Sequence, residues 1–343
     1  VLRWIECASL LALLFIPTAS AATVKEDLAR ESRARGLAIT WMQAAELMVR
    51  HLDREDQHSE PVPGMGYLYD IEPTNQYILG SIKRSPDKSF DTVPPLPQLA
   101  IFRLGIGQTK VLDRPRAPRL AVLSPHAECL AVLTVDGRHH IVLQYGDLLW
   151  ASVHEVYSRD VGKDPEHPDD IAENFGWSPD SRRLIYSKDH AVYIFDTRSA
   201  TSTFIAQGSD PTWSPDGRFV AYVSPRHQLV LNDVLHDSTS VVSGNMDVIG
   251  YPRWSPDSKF ILFTRWDRQK AVTNPSAYIF LHDATDIMAL RVADRRSAVV
   301  FDPGNGMDTR HFYWIETRSA NGSPSVALTP GNPSNLANPC PPR

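Results

Sequence analysis

The chain is predicted to be all-β: a β-propeller of about six four-stranded blades, with seven also compatible, preceded by a short N-terminal helical segment. Three observations carry this expectation. A Trp-Ser-Pro-Asp motif stands at residues 177–180, 213–216 and 254–257, so the Trp-to-Trp intervals are 36 and 41 residues. Each copy runs on into an apolar stretch, a polar turn and a second apolar stretch (LIYSKDHAVYIFD, VAYVSPRHQLVLND, ILFTRWD…AYIFLHD). A repeat of about 40 residues holding about four short strands has the length of one propeller blade.

Composition sets the frame. The 343 residues are enough to bury a large core in one domain. Hydrophobic residues make up 42% and charged residues 22%, the balance of a soluble globular chain rather than a disordered one. The net charge of -5 provides no polybasic footprint, which excludes nucleic acid as an expected partner and disfavours general adhesion to anionic membranes.

Residues 1–22 read as a signal peptide. Arg3 precedes an apolar core from Leu10 to Ile16, Pro17 breaks it, and Ala19-Ser20-Ala21 fits a small-x-small cleavage site. The apolar run is too short to span a bilayer. Glu6 and the initial Val1 depart from the usual pattern. The expected mature chain begins near Ala22 in a periplasmic or secreted bacterial protein.

Residues 23–66 are expected to be a helical segment and linker. Leu28, Trp41, Ala45, Met48 and Leu52 recur at helical spacing over 24–54, with Glu26, Asp27, Arg30, Arg33 and Arg50 on other faces. The Pro/Gly-rich stretch 55–66 reads as the linker. From Tyr67 to 330 the pattern changes to short strands, among them Gln76–Ser81, Leu99–Leu104, Leu130–Thr134, Ile141–Gln144, Leu184–Ser187, Val192–Phe195, Phe219–Val223, Leu229–Leu231, Phe260–Thr264 and Tyr278–Leu281. Residues 331–343, rich in Pro and Asn, are expected to be a disordered tail. Of the two cysteines left after cleavage, Cys129 lies in an apolar strand and reads as a buried small hydrophobe, while Cys340 lies in the tail. A disulfide between them stays open. The absence of Cys-x-x-Cys removes a redox motif or zinc site of that kind.

The motif has a mechanical meaning. Trp is a large wedge between neighbouring sheets. In Ser-Pro-Asp-Gly, Pro fixes φ, Asp bonds back to the backbone and Gly accepts positive φ, so these aspartates are expected to be structural. Leu123-Ser124-Pro125-His126 begins a degenerate earlier copy.

These motifs resemble the WD-like repeats of TolB-type propellers, which also occur in the propeller domains of prolyl-oligopeptidase-like enzymes. The likeness covers about residues 120–285. It implies the fold and says little of function. TolB-type proteins carry an α/β domain ahead of the propeller, where this chain has only about 30 residues of helical pattern. The oligopeptidase-like enzymes carry a Gly-x-Ser-x-Gly elbow, which this sequence lacks.

With strands a to d running outward, the Trp-Ser-Pro-Asp turn links a to b, and the b–c turns share the other face with the d–a connections. The expected b–c turns are Val135–His139, Lys188–His190, Pro225–Gln228 and Trp266–Ser276. They gather His139, His140, His190, His227 and Trp266 on one face. The d–a connection from Tyr157 to Phe175 is long and acidic and adds His167, Asp169 and Asp170. These are the candidate binding residues. Imidazoles with carboxylates are also ordinary metal ligands, and in the oligogalacturonate lyases, which resemble WD-like propellers, histidines do hold a metal.

Two functions compete. A binding scaffold for a periplasmic protein or peptide partner should expose apolar or aromatic groups in these loops, with Trp266, Tyr251 and Met246 the best placed. A propeller enzyme acting on a polar saccharide, metal-dependent or not, should gather His, Asp, Glu or Arg at the axis. The sequence encodes no evident catalytic motif and no cofactor motif, so the scaffold is the expected reading.

Overall fold

The computed structural model describes residues 23–316 apart from 44–45, 55–56, 61, 63–64, 72–76, 83–97, 104–106, 113, 116–117, 136–139, 161–173, 245, 267–284 and 302–311, together with Cys340. The fold is a six-bladed propeller of four-stranded antiparallel sheets.

The first element of the described residues is a helix, α1 (Val24–Arg35). Thr23 and Glu26 form a capping box at its start, and Gly36, in the left-handed region at φ 72°, ends it. Three strands follow: β1 (Leu37–Gln43), β2 (Glu46–His51) and β3 (Gln57–Glu60). The second blade is β4 (Met65–Ile71), β5 (Ile78–Ile82), β6 (Leu99–Arg103) and β7 (Gly107–Val111). The third is β8 (Leu120–Leu123), β9 (Cys129–Val135), β10 (His140–Asp147) and β11 (Val153–Asp160). The fourth is β12 (Phe175–Trp177), β13 (Arg183–Lys188), β14 (Ala191–Asp196) and β15 (Thr201–Gln207). The fifth is β16 (Ser209–Trp213), β17 (Phe219–Val223), β18 (Leu229–Asp233) and β19 (Ser238–Val241). The sixth is β20 (Val248–Trp254), β21 (Phe260–Trp266), β22 (Thr285–Arg291) and β23 (Arg296–Phe301), and β24 (Tyr313–Glu316) comes last.

The first blade has the order β24-β1-β2-β3, so the C-terminal strand supplies its inner edge. Ala38 pairs with Ile315 and Thr40 with Tyr313. The ring is thus closed by backbone hydrogen bonds between the two ends of the chain.

This closure corrects the expected helix over 24–54. The helix stops at Arg35, and β1 and β2 pair antiparallel with Trp41 opposite Met48. Leu37, Ala38, Ile39, Thr40 and Trp41 are all at most 1% exposed. A strand buried on both faces loses the period-2 alternation that would have marked it. The apolar spacing from Trp41 to Met48 is a coincidence of this pairing register. The propeller accordingly begins at Leu37, ahead of the expected Tyr67. In the sixth blade, the strand paired with β21 is β22; the expected strand Tyr278–Leu281 lies outside the described residues.

The motif turns behave alike. Ser178, Ser214 and Ser255 are fully buried. Each hydroxyl accepts the backbone N–H five residues on, from Arg183, Phe219 and Phe260, at 2.8–2.9 Å. Each donates to the aspartate two residues on: Asp180, Asp216 and Asp257. That aspartate accepts a further backbone N–H, from Arg182, Arg218 and Lys259. Burial works to raise the Asp180 carboxyl, but the Ser178 hydroxyl, the Arg182 amide and two arginine charges hold it below its ordinary value. The degenerate copy keeps the serine half: Ser124 accepts Cys129 N–H at 2.8 Å. Trp177, Trp213 and Trp254 each end an inner strand and are at most 7% exposed, one wedge per blade.

α1 seals the seam where the ring closes. Val24 and Leu28 join Trp41, Phe260, Phe301 and Trp314 in one apolar cluster shared by the first and sixth blades. Around it, Arg291 pairs with Asp27, Lys259 with Glu31 at 3.0 Å, and Arg35 with Glu316 and with Asp257 at 2.8 Å.

Cys129 and Cys340 are joined as a disulfide with their Cα atoms 5.8 Å apart. The reading of Cys129 as only a buried hydrophobe is therefore incomplete. Both cysteines sit in the core between the third and fourth blades, beside Tyr145 and Trp177. The remainder of 331–343 lies outside the described residues, as do residues 1–22.

Candidate functional site

The inner strands of all six blades surround a central channel with a cavity of about 120 Å³. Its polar lining includes Tyr313, Tyr69 and Asp70, Asn174, Thr212 and Arg253, from every blade but the third, where Val122 takes the place. The lining includes Pro215 and Pro256 of the motif turns.

Most of these polar groups stitch neighbouring blades together. Trp314 donates its indole N–H to Arg253 carbonyl at 2.9 Å, linking the first blade to the sixth. Tyr313 donates its hydroxyl to Tyr69 carbonyl at 2.8 Å, linking first to second. Asp70 accepts Leu123 N–H at 3.1 Å, linking second to third. Asn174 donates its amide to Asp210, linking fourth to fifth.

Asp210, on the inner strand of the fifth blade, is 6% exposed. It sits in the left-handed region at φ 52°, at a break in register between β16 and β17. Burial pushes its carboxyl up, while Ser209, Asn174 and the Arg253 charge pull the other way. Gly250 of the sixth blade packs against it; a Cβ there would stand 2.9 Å from Asp210 Oδ2.

Arg253 is the one cation in the described lining, and its Nη1 donates to Pro252 carbonyl at 3.5 Å. Its guanidinium lies 5.2 Å from the Tyr313 ring, within cation–π reach. Its Nε is buried and has no hydrogen-bond partner among the described residues. A buried, unpaired donor of a charged group is costly and is a natural place for an acceptor from a ligand.

The expected sites fall elsewhere. Topology puts the b–c turns on the face opposite the motif turns. His190 and His227 are exposed there, both in the left-handed region at φ 58° and 54°. His140 begins β10, with Nε2 3.9 Å from Asp160. They belong to three successive blades. Trp266 is the half-buried last residue of β21, its N–H donating to Asp247 carbonyl. Tyr251 and Met246 are half-buried as well. His139, His167, Asp169 and Asp170 lie outside the described residues. Among the described residues no three His, Cys, Asp or Glu side chains form a metal-binding group.

The expectation therefore missed Asn174, Asp210 and Arg253. A usable signal existed: aligned on the motif Trp, Asn174 and Asp210 share the third position before it, with Tyr251. Arg253 directly precedes its Trp, where the other intact copies have Gly176 and Thr212.

No protein-family model matches the chain, and no curated protein sequence matches it significantly. Solved structures do. TolB from Acinetobacter baumannii superposes with a TM-score of 0.53 at 14% identity, covering 81% of this chain and 66% of that one. A putative TolB from Agrobacterium tumefaciens superposes with a TM-score of 0.51 at 16% identity, covering 77% and 87%. The chain thus spans about two thirds of the length of the first of these. At such identities the likeness establishes the TolB-type propeller fold. An oligogalacturonate lyase in complex with manganese gives a TM-score of 0.41, too distant to bear on chemistry. Among the described residues no helix is long and apolar enough to cross a membrane.

Proposed function

We propose that this chain is an exported binding scaffold that takes a protein or peptide partner at the motif-turn mouth of its central channel. Arg253 carries the reading. It is the one cation in the described lining of the channel, and its buried Nε has no hydrogen-bond partner among the described residues. A peptide carbonyl or carboxylate entering the channel would complete it. The apolar pattern of 1–22 and the Cys129–Cys340 disulfide support export, because such bonds persist in oxidising compartments.

Two measurements test the two halves. Cell fractionation with N-terminal sequencing should find a mature chain starting near Ala22 outside the cytoplasm; an uncleaved chain in the cytosol refutes export. For the site, a photo-cross-linking residue at Thr212 should capture a partner from periplasmic extract, and Arg253→Ala should abolish the capture. The same adducts from both proteins would remove the channel from the reading. His190→Ala with His227→Ala is the comparison for the opposite face.

A further inference from the structure

β15 (Thr201–Gln207) is the outermost strand of the fourth blade and pairs with β14 on its inner side. Its outer edge differs from those of the other blades. β3 carries Glu60, β7 Lys110, β11 Glu155, Arg159 and Asp160, and β23 Arg296. β19 is uncharged, but it has only four residues and follows directly on Asp237. β15 runs for seven residues with neither a charge nor a proline. Thr201, Ser202, Thr203 and Phe204 are all exposed. Charged side chains and prolines on an edge strand guard it against pairing with another chain, and this edge lacks both.

A row of aromatic rings leads outward to the same edge. Tyr157 of the third blade stacks on Tyr186 of β13 with centroids 5.0 Å apart, and Tyr186 stacks on Tyr193 of β14 at 5.4 Å. Tyr193 then meets Phe204 of β15 at 5.8 Å in a T-shaped contact. Tyr186 and Tyr193 are cross-strand partners, as are Tyr193 and Phe204. Burial falls off along the row: Tyr186 is 4% exposed and Phe204 52%. The Tyr186 hydroxyl donates to the Ser202 hydroxyl at 2.9 Å, which ties this part of β15 to the blade. A register shift leaves Ile205 without a partner on β14, so the regular run of the edge is residues 201–204. The row therefore ends on a positioned ring at an open edge, with apolar surface that one more strand would bury.

We infer that β15 is a self-association edge: two copies of this chain pair β15 with β15, antiparallel, about a two-fold axis near Phe204. Charge selects a second copy as the occupant. A two-fold brings each residue near the axis opposite itself or a close neighbour in the other copy, so a charge there would face its like. β15 has no such charge. The same operation sets the two Phe204 rings opposite or diagonal to one another, within aromatic reach. It joins two four-stranded blades into one continuous sheet and runs the aromatic row through both. The contact is a single pair of strands, which puts it in the size class of weak, reversible interfaces. The edge lies on the outer wall of the ring, and the inference does not depend on the partner proposed for the channel.

The test is the oligomeric state of the mature chain. Sedimentation equilibrium from about 5 to about 500 µM, the range in which small interfaces associate, should show monomer passing to dimer. Backbone amides of residues 201–207 should exchange more slowly at the upper concentration than at the lower. Phe204→Lys removes the exposed ring and sets two like charges at the axis, and should weaken the dimer by about tenfold or more. Thr203→Lys, also exposed, should do the same from the other face of the strand, with the Phe204 contact to Tyr193 left in place. Leu235→Lys is the comparison: it removes a side chain that is 75% exposed at a turn of the fifth blade, and should leave the dimer at full strength. A monomer across the whole range, or a dimer that both the Phe204 and the Thr203 variants keep undiminished, overturns the inference.

Discussion

The side-chain amide of Asn174 donates to the carboxylate of Asp210 across the seam between the fourth and fifth blades. Burial raises the Asp210 carboxyl above its ordinary value. A raised native value means that the folded state binds this proton more tightly than the unfolded chain. The group's favourable contribution is therefore complete at pH below the unfolded value and is lost as pH rises through the native one. Asp210→Asn keeps an acceptor for Asn174 and cannot ionise. Its melting temperature relative to wild type should accordingly become more favourable between about pH 4 and about pH 7. Thermal denaturation across that range checks this, and a difference that stays flat with pH contradicts it.

Gly250→Ala should cost about 1–3 kcal/mol through overpacking. The added methyl would stand 2.9 Å from Asp210 Oδ2, and Asp210 is held in place by Ser209 and Asn174. The cost should shrink in an Asp210→Ala background, because the obstructing atom is gone. Urea denaturation of the four proteins of this cycle provides the measurement, and equal costs in both backgrounds would place the strain elsewhere.

Trp213→Ala should cost about 3–5 kcal/mol, the usual loss for a buried aromatic side chain. Trp213 is 6% exposed, and the Arg183 guanidinium of the preceding blade covers its ring at 4.7 Å. A denaturation midpoint equal to wild type would show that the ring is not a wedge. Arg183→Gln, which removes the cover and a charge beside Asp180 and Asp196 but leaves the ring, should cost far less.

Cys340→Ser should lower stability by about 2–5 kcal/mol. The bond joins residues 211 apart, so its loss frees a very large loop in the unfolded chain. Its two sulfurs also lie among the packed side chains of the third and fourth blades. Wild type treated with reductant should converge on the variant's midpoint. A midpoint indifferent to reductant would mean the cysteines are not paired.

What could be read in the sequence follows from the range of the interactions. The motif turn is local: Ser178, Asp180 and Arg183 complete it within six residues, and the same chemistry recurs at Ser214 and Ser255. Three such copies mark the blade period and with it the fold. The first blade was hidden because β1 is buried on both faces and its inner partner, β24, lies more than 260 residues away. Asp70, Asp210 and Arg253 were hidden for a related reason. Each reaches a neighbour across a seam between blades, and for Asp210 and Arg253 only alignment of the copies on the motif Trp marks the position. The b–c histidines, conspicuous as a list, are spread around a ring by that same geometry.

The pairing of β1 with β24 also orders events in time. The strands of the first blade are among the earliest to be synthesised, and the strand they wait for is among the last. Until Tyr313–Glu316 arrives, β1 presents a bare edge of backbone donors and acceptors, and α1 lacks Glu316 as a partner for Arg35. A nascent chain of this design holds its own completion in reserve. Permuting the chain so that its new ends lie in a loop between two other blades, with the present ends joined by a linker that keeps α1 and Cys340, would place β24 ahead of β1 at shorter separation and should speed refolding.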